Sequence, residues 1–385
     1  MKFALSLLVG AAAAQCGKRS PSYLTWTADS FIEHGVEKNF HYTQATLYLG
    51  YEAAYELTGD EKYAEWYRNQ IDDAVVLEDG TIKDWDYEFY SLDDYRIGNN
   101  FLWWYERTGE EKYRKAADII REQINRHPRN QAGGFWHRRP VYPNQMWLDG
   151  IFMADTFYAK WTKMFDNDNT TAWDDILKQF VLIDSHTRNH TTGLLAHGYD
   201  ESKTAVWADP VTVNRDSGSA PLVWDRAVGW YFIALLEAIQ LFPESHEGHS
   251  ILVGFYKDLA AALKKAQHKS GGWWLIMSEP YPGMEGNYIE SSASAMFTYG
   301  WLKGIKLGLI SKGEYYKAAK KGYKLLTNRF VRADDECLLN WEGTVEVGSL
   351  CCNGTYEYYI SIPLQTNDYK GVGPFMLASY EWETY

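Results

Sequence analysis

Cysteine is scarce in this chain, with four among 385 residues, at positions 16, 337, 351 and 352. So few exclude a disulfide-stapled miniature scaffold. The absence of any Cys-x-x-Cys spacing also removes the usual zinc-ribbon and thioredoxin-type readings. In an oxidising compartment these residues are expected to form structural disulfides, and their spacing leaves the pairing open. Positive charge is scarce too. With 38 Lys and Arg against 51 Asp and Glu the net charge is −13, which excludes a general affinity for nucleic acid. No apolar run after the N-terminus reaches the roughly 20 residues a membrane-spanning helix needs. Gly-x-Ser-x-Gly, a phosphate-binding loop and His-Glu-x-x-His are all missing, so neither a serine nucleophile, nucleotide chemistry, a metal site nor a cofactor is expected.

The N-terminus does carry a pattern. Lys2 precedes an apolar run from position 3 to 9 and a small-residue stretch that closes on Ala14, the layout of a cleaved secretory signal peptide. Residues 15–385 are then expected to be one catalytic domain, secreted and extracellular. Asn169, Asn189 and Asn353 head Asn-x-Thr triplets, glycosylation acceptors in a secreted protein. Aromatic residues are abundant, 16% of the chain with 17 Trp and 29 Tyr. Indoles need a place for their N–H as well as for their rings, and stacking on sugar faces is an obvious use for so many.

Residues 55–63, Tyr-Glu-Leu-Thr-Gly-Asp-Glu-Lys-Tyr, return fifty positions later as Tyr-Glu-Arg-Thr-Gly-Glu-Glu-Lys-Tyr. In each copy a glycine, Gly59 or Gly109, ends one helix, and acidic residues open the next. A weaker echo runs over 313–319. Helical periodicity also covers 147–165, 173–185, 226–241, 251–267 and 293–309, while strand-like alternation is confined to 194–197 and 273–277. A helical hairpin repeating every 50–60 residues is too long for a tetratricopeptide unit. About six such hairpins fill the chain. With no linker and no polar capping repeat, a closed ring is preferred over an open solenoid: an all-α (α/α)6 toroid whose inner helices are apolar all round.

Asp149, set among Met146, Trp147 and Phe152, is either a helix cap or a catalytic acid whose pKa is raised by apolar neighbours. Asp93, 56 residues earlier, occupies the same corner of the preceding hairpin, and a second carboxylate there raises the first further; Asp94 competes with it for that place. His137 and Arg138 form a basic cluster that is either a surface turn or a dock for an anionic substrate. Arg226 between Trp224 and Trp230 suits a bidentate carboxylate clamp with stacking plates, or a core tryptophan with a snorkelling arginine. His197 is a further polar candidate.

Several segments resemble glycoside hydrolase family 105, the unsaturated rhamnogalacturonyl hydrolases. They are Met146-Trp147-Leu148-Asp149-Gly150-Ile151-Phe152-Met153, Trp224-x-Arg226-x-x-Gly229-Trp230, Tyr288-x-Glu290-x-Ser292-Ala293-Ser294-Ala295-Met296, and the tail containing Tyr356-Glu357-Tyr358-Tyr359 and Asn367-Asp368-x-Lys370-Gly371-Val372-Gly373-Pro374. The likeness spans residues 42–378. It implies the same toroid, an unsaturated oligosaccharide as substrate, and hydration of the C4=C5 bond of a terminal unsaturated galacturonic acid, after which the aglycone leaves. By that resemblance Asp149 donates the proton to C4 and activates water, with Asp93 in support. Tyr42, Trp147, His197, Trp224, Arg226 and Trp230 fall on sugar-binding positions. His137 and Arg138 fall on contacts to the aglycone or carboxylate, with Arg138 where the family has lysine. The competing functions are an unsaturated glucuronyl hydrolase, an inverting glycosidase on saturated sugars, and a sugar-binding protein without activity.

Overall fold

The computed structural model describes Cys16, residues 22–208 and residues 217–385; the expected signal peptide, residues 1–14, lies outside them. Twelve helices carry the architecture: α1 Tyr23–His34, α2 Tyr42–Thr58, α3 Glu61–Ile71, α4 Gly98–Thr108, α5 Glu111–Asn125, α6 Thr156–Phe165, α7 Thr170–Thr187, α8 Asp225–Leu241, α9 Glu247–Ala266, α10 Ser291–Lys306, α11 Lys312–Leu325 and α12 Tyr369–Glu383. The stretch expected to be helical from 147 begins at Leu148 and passes through a π-helical segment, Ile151–Asp155, before α6.

Consecutive helices pair as hairpins: α2 with α3, α4 with α5, α6 with α7, α8 with α9 and α10 with α11. The sixth hairpin joins the two ends of the chain, α12 against α1. The even-numbered helices form the inner ring, each touching the next, and α12 closes it by packing on α2. Gly373 permits that closure, because a Cβ there would collide with the Thr46 carbonyl on α2. The expected division of labour holds. Inner α8 is buried from Asp225 through Leu236. Outer α5 buries one face, Tyr113, Ala116, Ala117, Ile120 and Ile124, at helical spacing. Gly59 and Gly109 end their helices in the left-handed conformation, at φ 66° and 70°, as the repeat predicts.

The strands are short antiparallel pairs: β1 Tyr90–Ser91 with β2 Arg138–Arg139, β3 Gln145–Trp147 with β4 Gly198–Asp200, β5 Trp273–Trp274 with β6 Ile289–Glu290, β7 Val331–Ala333 with β8 Leu339–Trp341, and β9 Thr344–Val345 with β10 Leu364–Gln365. The strand expected at 194–197 forms instead at Gly198–Asp200, since that is where the backbone meets Gln145–Trp147. The strand expected over 273–277 is two residues long, and Ile276 adds an isolated bridge to Trp224. Among the cysteines, Cys16 and Cys337 form a disulfide that ties the N-terminus to the turn before β8. Cys351 and Cys352 are exposed and unjoined, so the expectation of structural disulfides is met by one pair and not by the other.

Candidate active site

One feature of sequence order sets the chemistry. At or just ahead of the N-terminus of every inner helix stands a polar side chain: His41 before α2, Asp93 before α4, Asp149 before α6, Asp225 and Arg226 on α8, Glu290 before α10, and Asp368 before α12. Parallel inner helices direct these positions to one mouth. Their N-terminal dipoles favour negative charge there, whether it comes from these carboxylates or from a ligand.

A cavity of about 820 Å³ opens at this mouth, lined by His41, Tyr42, Asp93, Arg138, Val347 and Lys370 among others. Arg138 donates from Nη2 to Oδ2 of Asp93 at 2.6 Å and from Nε to Oγ of Ser91 at 3.2 Å. It remains partly exposed, so a basic group does face the cavity, already bound to a carboxylate. His137 is buried, with Nε2 3.6 Å from Oδ1 of Asp93. Its ring stacks on Trp147 at 4.1 Å and 13°. Burial holds its pKa below the usual imidazole range, against the pull of Asp93 and Asp149.

Asp149 lies deeper, its side chain 13% exposed, with Oδ2 3.1 Å from Nε2 of His197. The ring N–H is not aligned on that oxygen, and neither atom has a hydrogen-bond partner among the described residues. On its other side His197 is hydrogen-bonded from Nδ1 to the Tyr359 hydroxyl at 2.7 Å. The expected elevation of the Asp149 pKa is not found. Burial does raise it, but the His197 imidazole, helped by His137, outweighs burial and holds the carboxyl below its ordinary range. Apolar surroundings therefore do not decide its charge; the adjacent ring does. Beside Asp93, the Asp94 carboxyl is pushed upward to about 7, by burial and by Asp93. Asp93 faces Arg138 and the cavity, which separates the two candidates geometrically.

Most of the expected sugar contacts belong to the protein interior, His197 and His137 among them. Arg226 is 1% exposed. Its Nη1 donates to the Val345 carbonyl at 2.6 Å, Nη2 donates to the Glu346 carbonyl, and Oε1 of buried Glu290 is 3.8 Å away. A guanidinium so engaged holds the end of β9 and is not open to clamp a substrate carboxylate. Trp230 is 1% exposed, stacked on Phe152 at 4.7 Å and meeting Tyr42 edge-on at 6.5 Å. It supports Tyr42 and offers no stacking face. Trp224, equally buried, packs its ring 4.8 Å from His197 and 5.8 Å from Tyr359. Trp147 is nearly buried as well, between His137 and Tyr142. Tyr42 alone of the expected aromatics lines the open cavity.

His41, Tyr359, Glu290 and Lys370 escaped notice as site residues. Three of them sit inside motifs quoted above, but side-chain contacts across the ring, such as Tyr359 to His197, have no signature in a linear sequence. The regular placement of polar residues ahead of each inner helix is the signal that was there to find.

A closed ring of helical hairpins with buried carboxylates and aromatic rings at one mouth defines the helical-toroid class of carbohydrate-active hydrolases. Residues 23–385 match the model of Glycosyl Hydrolase Family 88. A C. acetobutylicum glycoside hydrolase from family 105 superimposes with a TM-score of 0.89 at 36% identity, over 95% of this chain and 100% of that one. The unsaturated rhamnogalacturonyl hydrolase YesR of Bacillus subtilis is 27% identical over 300 residues, 76% of this chain and 77% of its own length. An unsaturated 3S-rhamnoglycuronyl hydrolase of Alteromonas is 23% identical over 314 residues, 77% and 69% of the two chains. The chain belongs to glycosyl hydrolase family 88 and its family 105 relatives, the unsaturated glycuronyl hydrolases, and is an enzyme.

Proposed function

We propose that the enzyme hydrates the C4=C5 bond of a terminal unsaturated galacturonic acid on rhamnogalacturonan-derived oligosaccharides. The observation that carries this reading is the buried Asp149–His197 pair at the mouth of the ring. The double bond is an enol ether with the ring oxygen, so one proton delivered to C4 leaves an oxocarbenium-like cation at C5. Asp149 supplies that proton. The carboxylate then takes a proton from the water that attacks C5, and the resulting hemiketal opens and releases the aglycone. The His197 imidazole holds the Asp149 pKa low, so the reaction draws on the enzyme whose carboxyl is protonated. The proton taken from water restores Asp149 for the next turnover, and His197, fixed by Tyr359, stands beside the carboxyl throughout. Asp93 and Arg138 position the sugar, Tyr42 stacks on it, and the helix N-termini favour its uronate. The YesR name supports the galacturonic reading. The alternative is an unsaturated glucuronyl substrate handled by the same mechanism; the Alteromonas relative is named only for a 3S-rhamnoglycuronyl substrate.

Lyase-digested pectin tests the proposal. The expected result is a gain of one water by mass with loss of the conjugated ultraviolet absorbance, and in heavy-oxygen water the label at C5 of the released keto acid. Label at the anomeric carbon would establish ordinary glycoside hydrolysis instead. Equal digestion of ulvan- or glycosaminoglycan-derived fragments with none of pectin would select the glucuronyl alternative.

We also infer that residues 15–385 are secreted as one catalytic unit. The leader pattern supports this, and so does the Cys16–Cys337 disulfide, a bond characteristic of oxidising compartments. Asn189 and Asn353 are exposed, whereas half-buried Asn169 caps α7 and donates from Nδ2 to Asp166 at 2.7 Å. Glycans are therefore expected at the first two. Protein recovered from the medium should begin at Gln15, and retention inside the cell with Met1 intact would refute secretion.

A further inference from the structure

Cys351 and Cys352 follow one another in a surface turn, with their Sγ atoms 2.7 Å apart. That is less than an ångström beyond the bonded separation of about 2.05 Å. Cys16 and Cys337 are already joined, so within this chain each of the two has the other as its remaining partner.

The turn belongs to a loop that walls the mouth. Arg226 holds its start through the Val345 and Glu346 carbonyls, and Val347 lines the cavity with Tyr42 and Asp93. The Ser349 N–H donates to the Tyr358 hydroxyl at 3.0 Å, and its Oγ lies 3.3 Å from the Tyr142 hydroxyl. The Leu350 carbonyl accepts from Nε1 of Trp207 at 2.8 Å, and Leu350 belongs to a small buried cluster that includes Trp147. Thr355 then caps the helix Tyr356–Ser361, which carries Tyr359. Between Leu350 and Thr355 the contacts thin out. The cysteine pair sits in that gap.

We propose that Cys351 and Cys352 oxidise to a disulfide between adjacent residues, which braces the loop forming this wall of the mouth. The chemistry is thiol–disulfide exchange with a disulfide-bearing oxidant of the secretory route. One cysteine thiolate attacks the oxidant's disulfide and expels one of its sulfurs. The neighbouring thiolate then displaces the other sulfur from the mixed disulfide. The two cysteines lose two protons and two electrons, and the oxidant leaves as its dithiol. The new bond closes a small ring through the peptide that joins the residues, removing backbone freedom where the loop has fewest other ties.

The test uses the full chain recovered from the medium. It is denatured without reductant, alkylated and weighed, then digested. The expected result is no alkylation, with the peptide containing 351–352 lighter by two hydrogens than its reduced form. Alkylation of both residues, or a bond from either to Cys16, Cys337 or a second chain, would overturn the assignment. Hydrogen exchange over 346–355 tests the bracing. About tenfold faster exchange is expected after mild reduction and in the Cys351→Ser, Cys352→Ser double variant, and unchanged exchange in both would overturn it. Neither measurement involves substrate, so both stand apart from the hydrolase reading.

Discussion

Nε2 of His197 lies 3.1 Å from Oδ2 of Asp149, while Nδ1 of the same ring is fixed at 2.7 Å by the Tyr359 hydroxyl. The carboxyl at the centre of the site is thus governed by one imidazole, itself held in orientation by a residue more than 150 positions away. The consequences are testable one at a time.

Asp149→Asn removes the group proposed to give and take the proton. Turnover on unsaturated oligosaccharide is expected to fall by ~10³-fold or more, with the circular dichroism spectrum and melting profile close to the parent's. A folded variant with full activity would end the assignment. Activity of the parent is expected to be greatest at acidic pH and to fall as pH rises, because the low Asp149 pKa leaves fewer protonated carboxyls, and a pH–rate profile rising into the alkaline range would contradict this.

His197→Gln leaves burial as the main influence on Asp149. Burial raises a carboxyl pKa and the imidazole lowers it, so the variant's Asp149 is expected to hold its proton to higher pH than the parent's. Infrared difference titration against the corresponding Asp149→Asn proteins reads the carboxyl band directly. A midpoint unchanged or lower in the variant would show that His197 does not control this group.

Arg226→Gln separates support from substrate binding. Glu290 is fully buried beside Arg226, and breaking a buried pair from one side costs about 3–5 kcal/mol. Denaturant unfolding is expected to show a loss of that order. Full stability with a raised KM would return Arg226 to the role of a substrate clamp.

Glu52 on α2 accepts from the Tyr67 hydroxyl at 3.0 Å and from Asn100 at 3.2 Å. Burial lifts its pKa from 4.5 to about 7, against the opposing influence of Lys160. Between those values the folded chain keeps a proton that the unfolded chain has released, so stability falls as pH rises through this window. Glu52→Gln keeps an acceptor for both bonds at Oε1 and has no proton to lose. It is expected to raise the melting temperature relative to the parent at pH 8 but hardly at pH 5. An equal effect at both values would place the cause elsewhere.

Much of this was legible in the linear chain. The duplicated Tyr-Glu-x-Thr-Gly segments predict helix ends at Gly59 and Gly109, because only a residue without Cβ enters the left-handed conformation freely. The all-round apolar inner helices predict a ring, because such helices need neighbours on both flanks. Asp149, Asp93 and His197 were candidates from local context. What local context misjudged is which way a side chain turns. Arg226 between two indoles reads the same in one dimension whether it meets a ligand or the carbonyls of residues 345 and 346.

Sequence alone determined the repeat and the helical class and put Asp149 and Asp93 forward as candidate acids, since periodicity, glycine stops and residue chemistry are local properties of the chain. Tertiary structure decided the charge of Asp149, the partnering of Arg226 and the pairing of Cys16 with Cys337. Each of these depends on distances between residues remote in sequence, and electrostatic and hydrogen-bond energies are set by such distances once the ring has closed.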